Sequence, residues 1–496
     1  MDLFLIGHDY KYAVEQSLLT LYPGEKPVYP DAPGALPYIE VRQSTGKQYT
    51  TITTRIHLET GVFTGSARVQ TELLTDDKLI RNRHMQRVIR QSFYRAAMAT
   101  GMPHPQWGAL TGVRPAKLMT KLLRQGKTDR QAKAAFRKTY FTSPERTELC
   151  LDGAHYSMAA EDSLSEKDVC LYVGIPFCPT RCAYCSFVSQ SVEKSMKLIQ
   201  PFLTALEQEI DATAQQVREL GLHPVSLYFG GGTPTTLSPA QLETLFQKLE
   251  SVFDFSDLRE ITVEAGRPDT ITTEKLQVLR QHGVTRISVN PQTMNDSVLE
   301  AIGRKHTAAD IDRAFAMVRE VGGMAINMDL IAGLPTDTPE SFRHTMDRVL
   351  ALDPENVTVH TLSLKKGARL TDEGGQIPTA NAVEQMLNDA LPRLRAAGYE
   401  PYYLYRQKNM SGGFENTGWC KPGSENLYNI CIMEELCPII SMGAGGSTKL
   451  TAPTGRIGRI FAPKYPNEYI TNIEKTCADK AKIGEFYHDL STSDAE

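Results

Sequence analysis

The sequence predicts an α/β chain built on an open (β/α)6 partial TIM barrel, with an N-terminal α+β extension and a smaller C-terminal domain. Between about 166 and 375, short apolar runs alternate with amphipathic helical segments, the pattern of repeated βα units around a parallel sheet. Six such runs read as strands: 169–174, 226–229, 260–264, 286–290, 325–331 and 356–361. Unusual polar residues fall at the C-terminal ends of these runs, where parallel-barrel enzymes build their sites.

The flanking regions differ in character. Residues 1–165 mix strands such as Tyr49–Ile56 with helical stretches near 76–99 and 115–138. A polar, acidic linker, Glu161 to Asp168, leads into the barrel at 166–375, and residues 376–496 form a C-terminal substrate or lid domain. No internal repeat or low-complexity tract interrupts the chain. A net charge of −4 argues against a dedicated nucleic-acid binder. Nine cysteines, an odd number with irregular spacing, argue against a disulfide framework and fit a reducing, cytoplasmic compartment. The first residues carry Asp2 where a signal peptide would be basic, and no apolar stretch is long enough to span a bilayer.

The chemistry is concentrated in Gly174-Ile-Pro-Phe-Cys178-Pro-Thr-Arg-Cys182-Ala-Tyr-Cys185. Cys182-x-x-Cys185 alone would serve a zinc site or a redox pair. The spacing Cys-x3-Cys-x2-Cys instead supplies three thiolates from one loop, and a four-iron cluster needs four ligands. One iron is then left open to chelate S-adenosylmethionine (SAM). With the aromatic Tyr184 and the preceding apolar strand, the pattern is similar to the radical SAM superfamily.

Each strand end offers a fitting group. The first strand runs into the cysteine loop, and the second ends in Gly230-Gly-Gly-Thr-Pro234. Gly230 to Gly232 allow close backbone approach and would offer amide and carbonyl groups to the methionine end of the cofactor. Glu264 and Asp329 are acceptors for a ribose, an adenine or an ammonium; Gln292 both donates and accepts. Arg304 is suited to clamp a carboxylate. Taken singly, a glycine run is ordinarily a turn and a strand-end Glu a cap partner.

Together, Tyr172-Val-Gly-Ile-Pro-Phe-Cys178, the cysteine triplet, Gly-Gly-Gly-Thr-Pro and Asp329-Leu-Ile-Ala-Gly-Leu-Pro-Thr-Asp-Thr-Pro-Glu340 resemble the oxygen-independent coproporphyrinogen III oxidases (dehydrogenases), most closely their HemZ branch. The resemblance covers about 170–370, and the C-terminal part loosely. It implies that Cys178, Cys182 and Cys185 bind a [4Fe-4S] cluster. It also implies that Tyr172, Gly231, Gly232, Thr233, Glu264, Gln292, Arg304, Asp329 and Ser363 surround SAM. The implied reaction is oxidative decarboxylation of two propionates of coproporphyrinogen III to give protoporphyrinogen IX in heme biosynthesis. The implied partners are the tetrapyrrole substrate and a low-potential donor such as flavodoxin or ferredoxin, for a monomeric enzyme. No individual catalytic residue is assigned.

The chain departs from this pattern in three places. The dehydrogenases add a further cysteine where this chain has Phe187, and a histidine where it has Gly174. Both changes resemble the family's heme chaperones. Those carry a His-Asn-x-x-Tyr-Trp heme motif, and the nearest match here, Glu425-Asn426-Leu-Tyr428, has an acid in place of the histidine. Heme trafficking is thus one rival function.

Action on RNA is another, supported by the basic stretch Arg114, Lys117, Lys121, Arg124, Lys127, Arg130, Lys133, Arg137 and Lys138, against Asp129 alone. A solvated helix face is the commoner meaning of such a run, and an acidic electron donor is a second candidate ligand. Cys420, Cys431, Cys437 and Cys477 supply enough thiolates for a second cluster, although buried free cysteine is common. His282, His306 and His360 lie near the barrel and receive no role.

Overall fold

The fold was analysed in a computed structural model, which describes all residues except 23, 32–33, 186–189, 192–194, 364–367, 373–376, 408–412, 453–454 and 494–496. The chain divides into two compact units, Met1–Leu151 and Asp152–Glu496.

The first unit is a four-stranded sheet in the order β1 (Asp2–Ile6), β2 (Tyr38–Thr45), β3 (Tyr49–Leu58), β4 (Gly61–Gln70). Burial alternates along β3, where Thr50, Ile52, Thr54 and Ile56 point inward, as a sheet with one covered face requires. The helix Lys78–Ala99 packs Met85, Ile89 and Phe93 into the same core. The basic stretch expected as one helix is two, Pro115–Arg124 and Asp129–Tyr140. Gly126 takes a φ of 80°, and Thr128 starts the second helix with a capping box to Gln131.

The second unit is built on one sheet of eleven strands. Its centre is β5 (Asp168–Ile175), β8 (His223–Gly231), β9 (Glu260–Glu264), β10 (Arg286–Ser288), β11 (Ala325–Ala332) and β12 (Asn356–Thr361), adjacent in chain order and all parallel. These are the six predicted strands, and the sheet does not close. Two short strands, β6 (Phe177–Cys178) and β7 (Gln190–Ser191), pair beside the cysteine loop.

Residues beyond 376, expected as a domain of their own, lie inside the second unit because their strands extend both sheet edges. Antiparallel β14 (Glu415–Cys420) adds to β12 and carries β13 (Glu400–Arg406). On the other side β15 (Ile439–Gly443) pairs parallel with β5, followed by β16 (Ser447–Thr451) and β17 (Ile457–Phe461). At that seam an added Cβ on Gly443 would stand 2.2 Å from the Gly174 carbonyl oxygen, so the backbones meet with no room for a side chain. The boundary expected near 165 falls instead within the helix Pro144–Asp162.

Candidate active site

β5 delivers its chain directly into the cysteine loop, with Cys182 buried and Cys178 and Cys185 half-buried. Phe187 lies outside the described residues. The loop is held from two sides. The Ala183 amide donates to the Ile302 carbonyl (3.0 Å), and the Ala183 carbonyl accepts from Leu370 (3.0 Å). Across from these, the Gly232 amide donates to Ile175 (2.7 Å) and the Thr233 amide to Phe177 (2.7 Å).

This changes the part expected of the glycine run. The Gly232 and Thr233 amides serve the loop backbone and are not free for a ligand. Gly231 takes a φ of 104°, and a Cβ on Gly232 would lie 2.5 Å from the Phe177 carbonyl oxygen. Glycine is required here because two backbones touch.

The thiols sit among cationic and hydroxyl donors. The Thr233 hydroxyl points at Cys178 Sγ (3.5 Å), and Arg267 Nη1 at Cys182 Sγ (3.9 Å). Arg304 hydrogen-bonds Tyr184 and Cys182, and its Nη1 also donates to the Asn290 carbonyl (2.6 Å). Two guanidiniums, those of Arg267 and Arg304, thus face the Cys182 sulfur. Arg267 was not singled out from the sequence, although it stands three residues past Glu264 at a strand end, where a barrel site is built. It is fixed by Asp269 (3.2 Å) and donates to Thr180 (2.9 Å). His306, beside these cations, has its pKa lowered to about 3 by burial and then by Arg304 and Arg267, so it stays neutral.

A second group forms deeper along the strand ends. Tyr172, Tyr228 and Tyr428 are stacked, with the Tyr228 and Tyr428 rings 4.3 Å apart. The Tyr228 hydroxyl donates to Glu264 Oε1 (2.7 Å). Burial pushes the Glu264 carboxyl up to about 7; the Tyr228 hydrogen bond opposes that rise and the nearby Asp329 charge adds to it. A Cβ on Gly230 would lie 3.1 Å from the Tyr172 hydroxyl and 3.2 Å from Glu264 Cδ, so these three residues adjoin. Asp329 accepts from Asn290 (2.7 Å) and Asn327 (2.8 Å), with His360 Nε2 at 4.0 Å.

Gln292 is pinned by its backbone, which bridges β11 through Asp329 (2.9 Å) and Ile331 (3.0 Å), and it holds a left-handed φ of 66°. A residue other than glycine in that region is uncommon and tends to accompany function. Ser363 stands just past β12. His282 lies apart, paired with Glu250 and Glu243.

The donor set fits a three-thiolate cluster with an amino-acid-bearing cofactor. Three thiols share one loop beside two guanidiniums. Arg304 Nε and Ser363 Oγ are buried with no hydrogen-bond partner among the described residues. Such orphaned donors are rare unless a ligand satisfies them.

The Radical SAM superfamily model matches residues 172–349. Over 393 residues the chain is 40% identical to the oxygen-independent coproporphyrinogen-III oxidase-like protein HemZ of Bacillus subtilis, covering 78% of each chain. The chain belongs to the radical SAM family of oxygen-independent coproporphyrinogen III oxidase-like proteins. Members of this family use a [4Fe-4S] cluster and SAM. Also similar is the heme chaperone HemW of Haemophilus influenzae, 29% identical over 60% of this chain and 75% of that one. The coproporphyrinogen III oxidase HemN of Escherichia coli, a radical SAM enzyme, superposes with a TM-score of 0.52 at 26% identity, covering 65% of this chain and 73% of that one. Among the described residues, no helix is long and apolar enough to cross a membrane.

Of the four cysteines considered for a second cluster, only Cys431 and Cys437 converge. Cys420 packs beside Tyr402 and Tyr403, and Cys477 lies on the helix Ile473–Ala478. Cys170 of β5 takes their place in a group of three.

Proposed function

We propose that this protein is an oxygen-independent coproporphyrinogen III dehydrogenase-like enzyme that oxidatively decarboxylates propionate side chains of a reduced tetrapyrrole. The observation that carries this reading is the reach of the likeness to HemZ, which extends over 393 residues and well beyond the stretch 172–349 matched by the superfamily. Barrel motifs report the cofactor, whereas substrate contacts come from variable regions, so similarity outside the barrel bears on the reaction.

In this reading Cys178, Cys182 and Cys185 hold the cluster, with Arg267 and Arg304 facing Cys182. When bound, cluster and SAM together supply a 5′-deoxyadenosyl radical that removes a hydrogen atom from the substrate. The chain's own residues bind and orient. Arg304 Nε is the free donor for the methionine carboxylate, while Glu264 and Asp329 accept from its ammonium and ribose. Tyr172, Gly231, Gln292 and Ser363 complete that surround, while Gly232 and Thr233 act through the cysteine loop they hold. A low-potential flavodoxin or ferredoxin serves as donor, and the enzyme acts as a monomer.

The similarity to HemW motivates heme trafficking as the second reading. Against it, Glu425-Asn426-Leu-Tyr428, the nearest match to the chaperones' heme motif, is committed to the fold. Asn426 is fully buried, caps the helix Leu427–Glu434 and donates to Thr262 (2.8 Å), and Tyr428 belongs to the tyrosine stack. The experiment is anaerobic turnover of the reconstituted, reduced protein with SAM and coproporphyrinogen III, following 5′-deoxyadenosine and protoporphyrinogen by mass spectrometry. Both products rising together is the expected result. Tight heme binding with neither product, in protein whose cluster is intact, would transfer the assignment to trafficking.

A further inference from the structure

Away from the cysteine loop, three thiols that the proposed reaction does not use meet inside the second unit. Cys170 comes from β5, Cys431 from the helix Leu427–Glu434, and Cys437 from the turn that leads into β15. All three sulfurs lie within 4.8 Å of one another, with Cys170 Sγ and Cys437 Sγ 3.6 Å apart. We propose that Cys170, Cys431 and Cys437 form a binding site for a single zinc ion, separate from the radical cluster.

Spacing is the first support. Zinc–thiolate bonds of about 2.3 Å place sulfurs about 3.8 Å apart in a tetrahedral site and about 4.0 Å apart in a trigonal one. The 3.6 Å pair lies within about half an ångström of both values and no pair exceeds 4.8 Å, so binding requires only side-chain adjustment. A four-iron cluster would hold its thiolates farther apart, because metal–metal edges intervene. These sulfurs are therefore too close for the second cluster that the cysteine count suggested.

Placement is the second support. Three separate chain segments are positioned by main-chain bonds: the Cys170 amide donates to the Pro438 carbonyl (2.9 Å), and the Leu436 amide to the Cys431 carbonyl (3.2 Å). The rotamers of one strand, one helix and one turn thus converge on a point that none of them reaches alone.

The surroundings select the ion. Val225, Tyr428 and Ile439 wall the thiols, and among the described residues no carboxylate or imidazole joins the three sulfurs. Soft thiolate ligands favour zinc or cuprous ion. Three thiolates leave a net charge of −1 on zinc and −2 on cuprous ion, and an apolar wall penalises the larger charge. On binding, Zn2+ replaces three thiol protons, which leave to solvent, and no electron moves. A water or another small ligand takes the fourth position, as in other three-ligand zinc sites.

The test uses the full-length protein with its iron–sulfur cluster reconstituted anaerobically, given zinc chloride and then desalted. Elemental analysis should find about one zinc per chain beside the four irons. Zinc-edge X-ray absorption on the same sample should give three sulfur neighbours at about 2.3 Å. Cys431→Ser should lose the zinc at least tenfold and keep the iron, whereas Cys477→Ser keeps both. Zinc at background with iron intact would overturn the proposal. So would zinc that persists in Cys431→Ser, or zinc with mainly nitrogen and oxygen neighbours. The absorption spectrum of the unaltered protein decides the matter even where a variant fails to fold.

Discussion

Glu264 is the residue whose environment makes the sharpest demand on the cofactor. Its carboxyl, raised to about 7 by burial, is protonated in much of the free protein at neutral pH. In the proposed site an ammonium beside it would favour the carboxylate, so SAM binding is expected to release a proton. SAM affinity, measured anaerobically by calorimetry, is expected to fall about tenfold per pH unit below 7. Glu264→Gln should bind more weakly with a flat profile. Tyr228→Phe removes the hydrogen bond that opposes the rise and should move the profile to higher pH. Unchanged pH dependence in Glu264→Gln would assign the proton to another group. At Cys182 the expectation is simpler: Cys182→Ala should abolish the visible absorbance of the cluster and SAM cleavage together. Glu264 and Asp329 stand out in the sequence only as a set, polar strand ends downstream of one cysteine loop, since a strand-end Glu taken singly is ordinarily a cap partner. Arg267 carried the same signal but lies past a turn, where its reach back to Cys182 depends on folding.

Among the elements, the glycine run that closes β8 acts as a clasp for the cysteine loop. Gly232→Ala would force its Cβ against the Phe177 carbonyl oxygen, which costs about 1–3 kcal/mol where neighbours cannot move. The expected outcome is a cluster that reconstitutes with reduced iron content and bleaches faster in air, while the far-ultraviolet circular dichroism is preserved. A wild-type bleaching rate would show that the loop holds itself. The six central strands were readable because buried parallel strands are short continuous apolar runs between helices. The pairing of β15 with β5 was not, because it joins segments far apart in the chain and leaves no periodic trace near either. Cys170 was missed for the same reason: it is one apolar-looking residue in a strand until β15 brings Cys437 to it. The break in the basic stretch hung on Gly126 and Thr128, a stop signal and a start signal that a count of charges passes over.

At the scale of the whole molecule, the two units each possess a core. That of Met1–Leu151 gathers residues from β1 through Ala109 and Phe141, all within its own boundaries. The fragment 1–151 is accordingly expected to melt cooperatively by circular dichroism; a featureless, non-cooperative melt would mean that its core is insufficient alone. The sequence placed the N-terminal boundary some residues late because the helix Pro144–Asp162 runs across it without a change of composition. In the second unit the barrel strands and the C-terminal strands share one sheet, so residues beyond 376 are built into the same body as the barrel.

The central claim is that radical chemistry in that body is directed at a tetrapyrrole propionate. The most direct measurement uses coproporphyrinogen III deuterated at the propionate carbon next to the ring. Supplied to the reduced holoenzyme with SAM, it should give 5′-deoxyadenosine carrying deuterium, in step with loss of carbon dioxide. Unlabelled 5′-deoxyadenosine, formed at the same rate with and without the tetrapyrrole, would contradict the account.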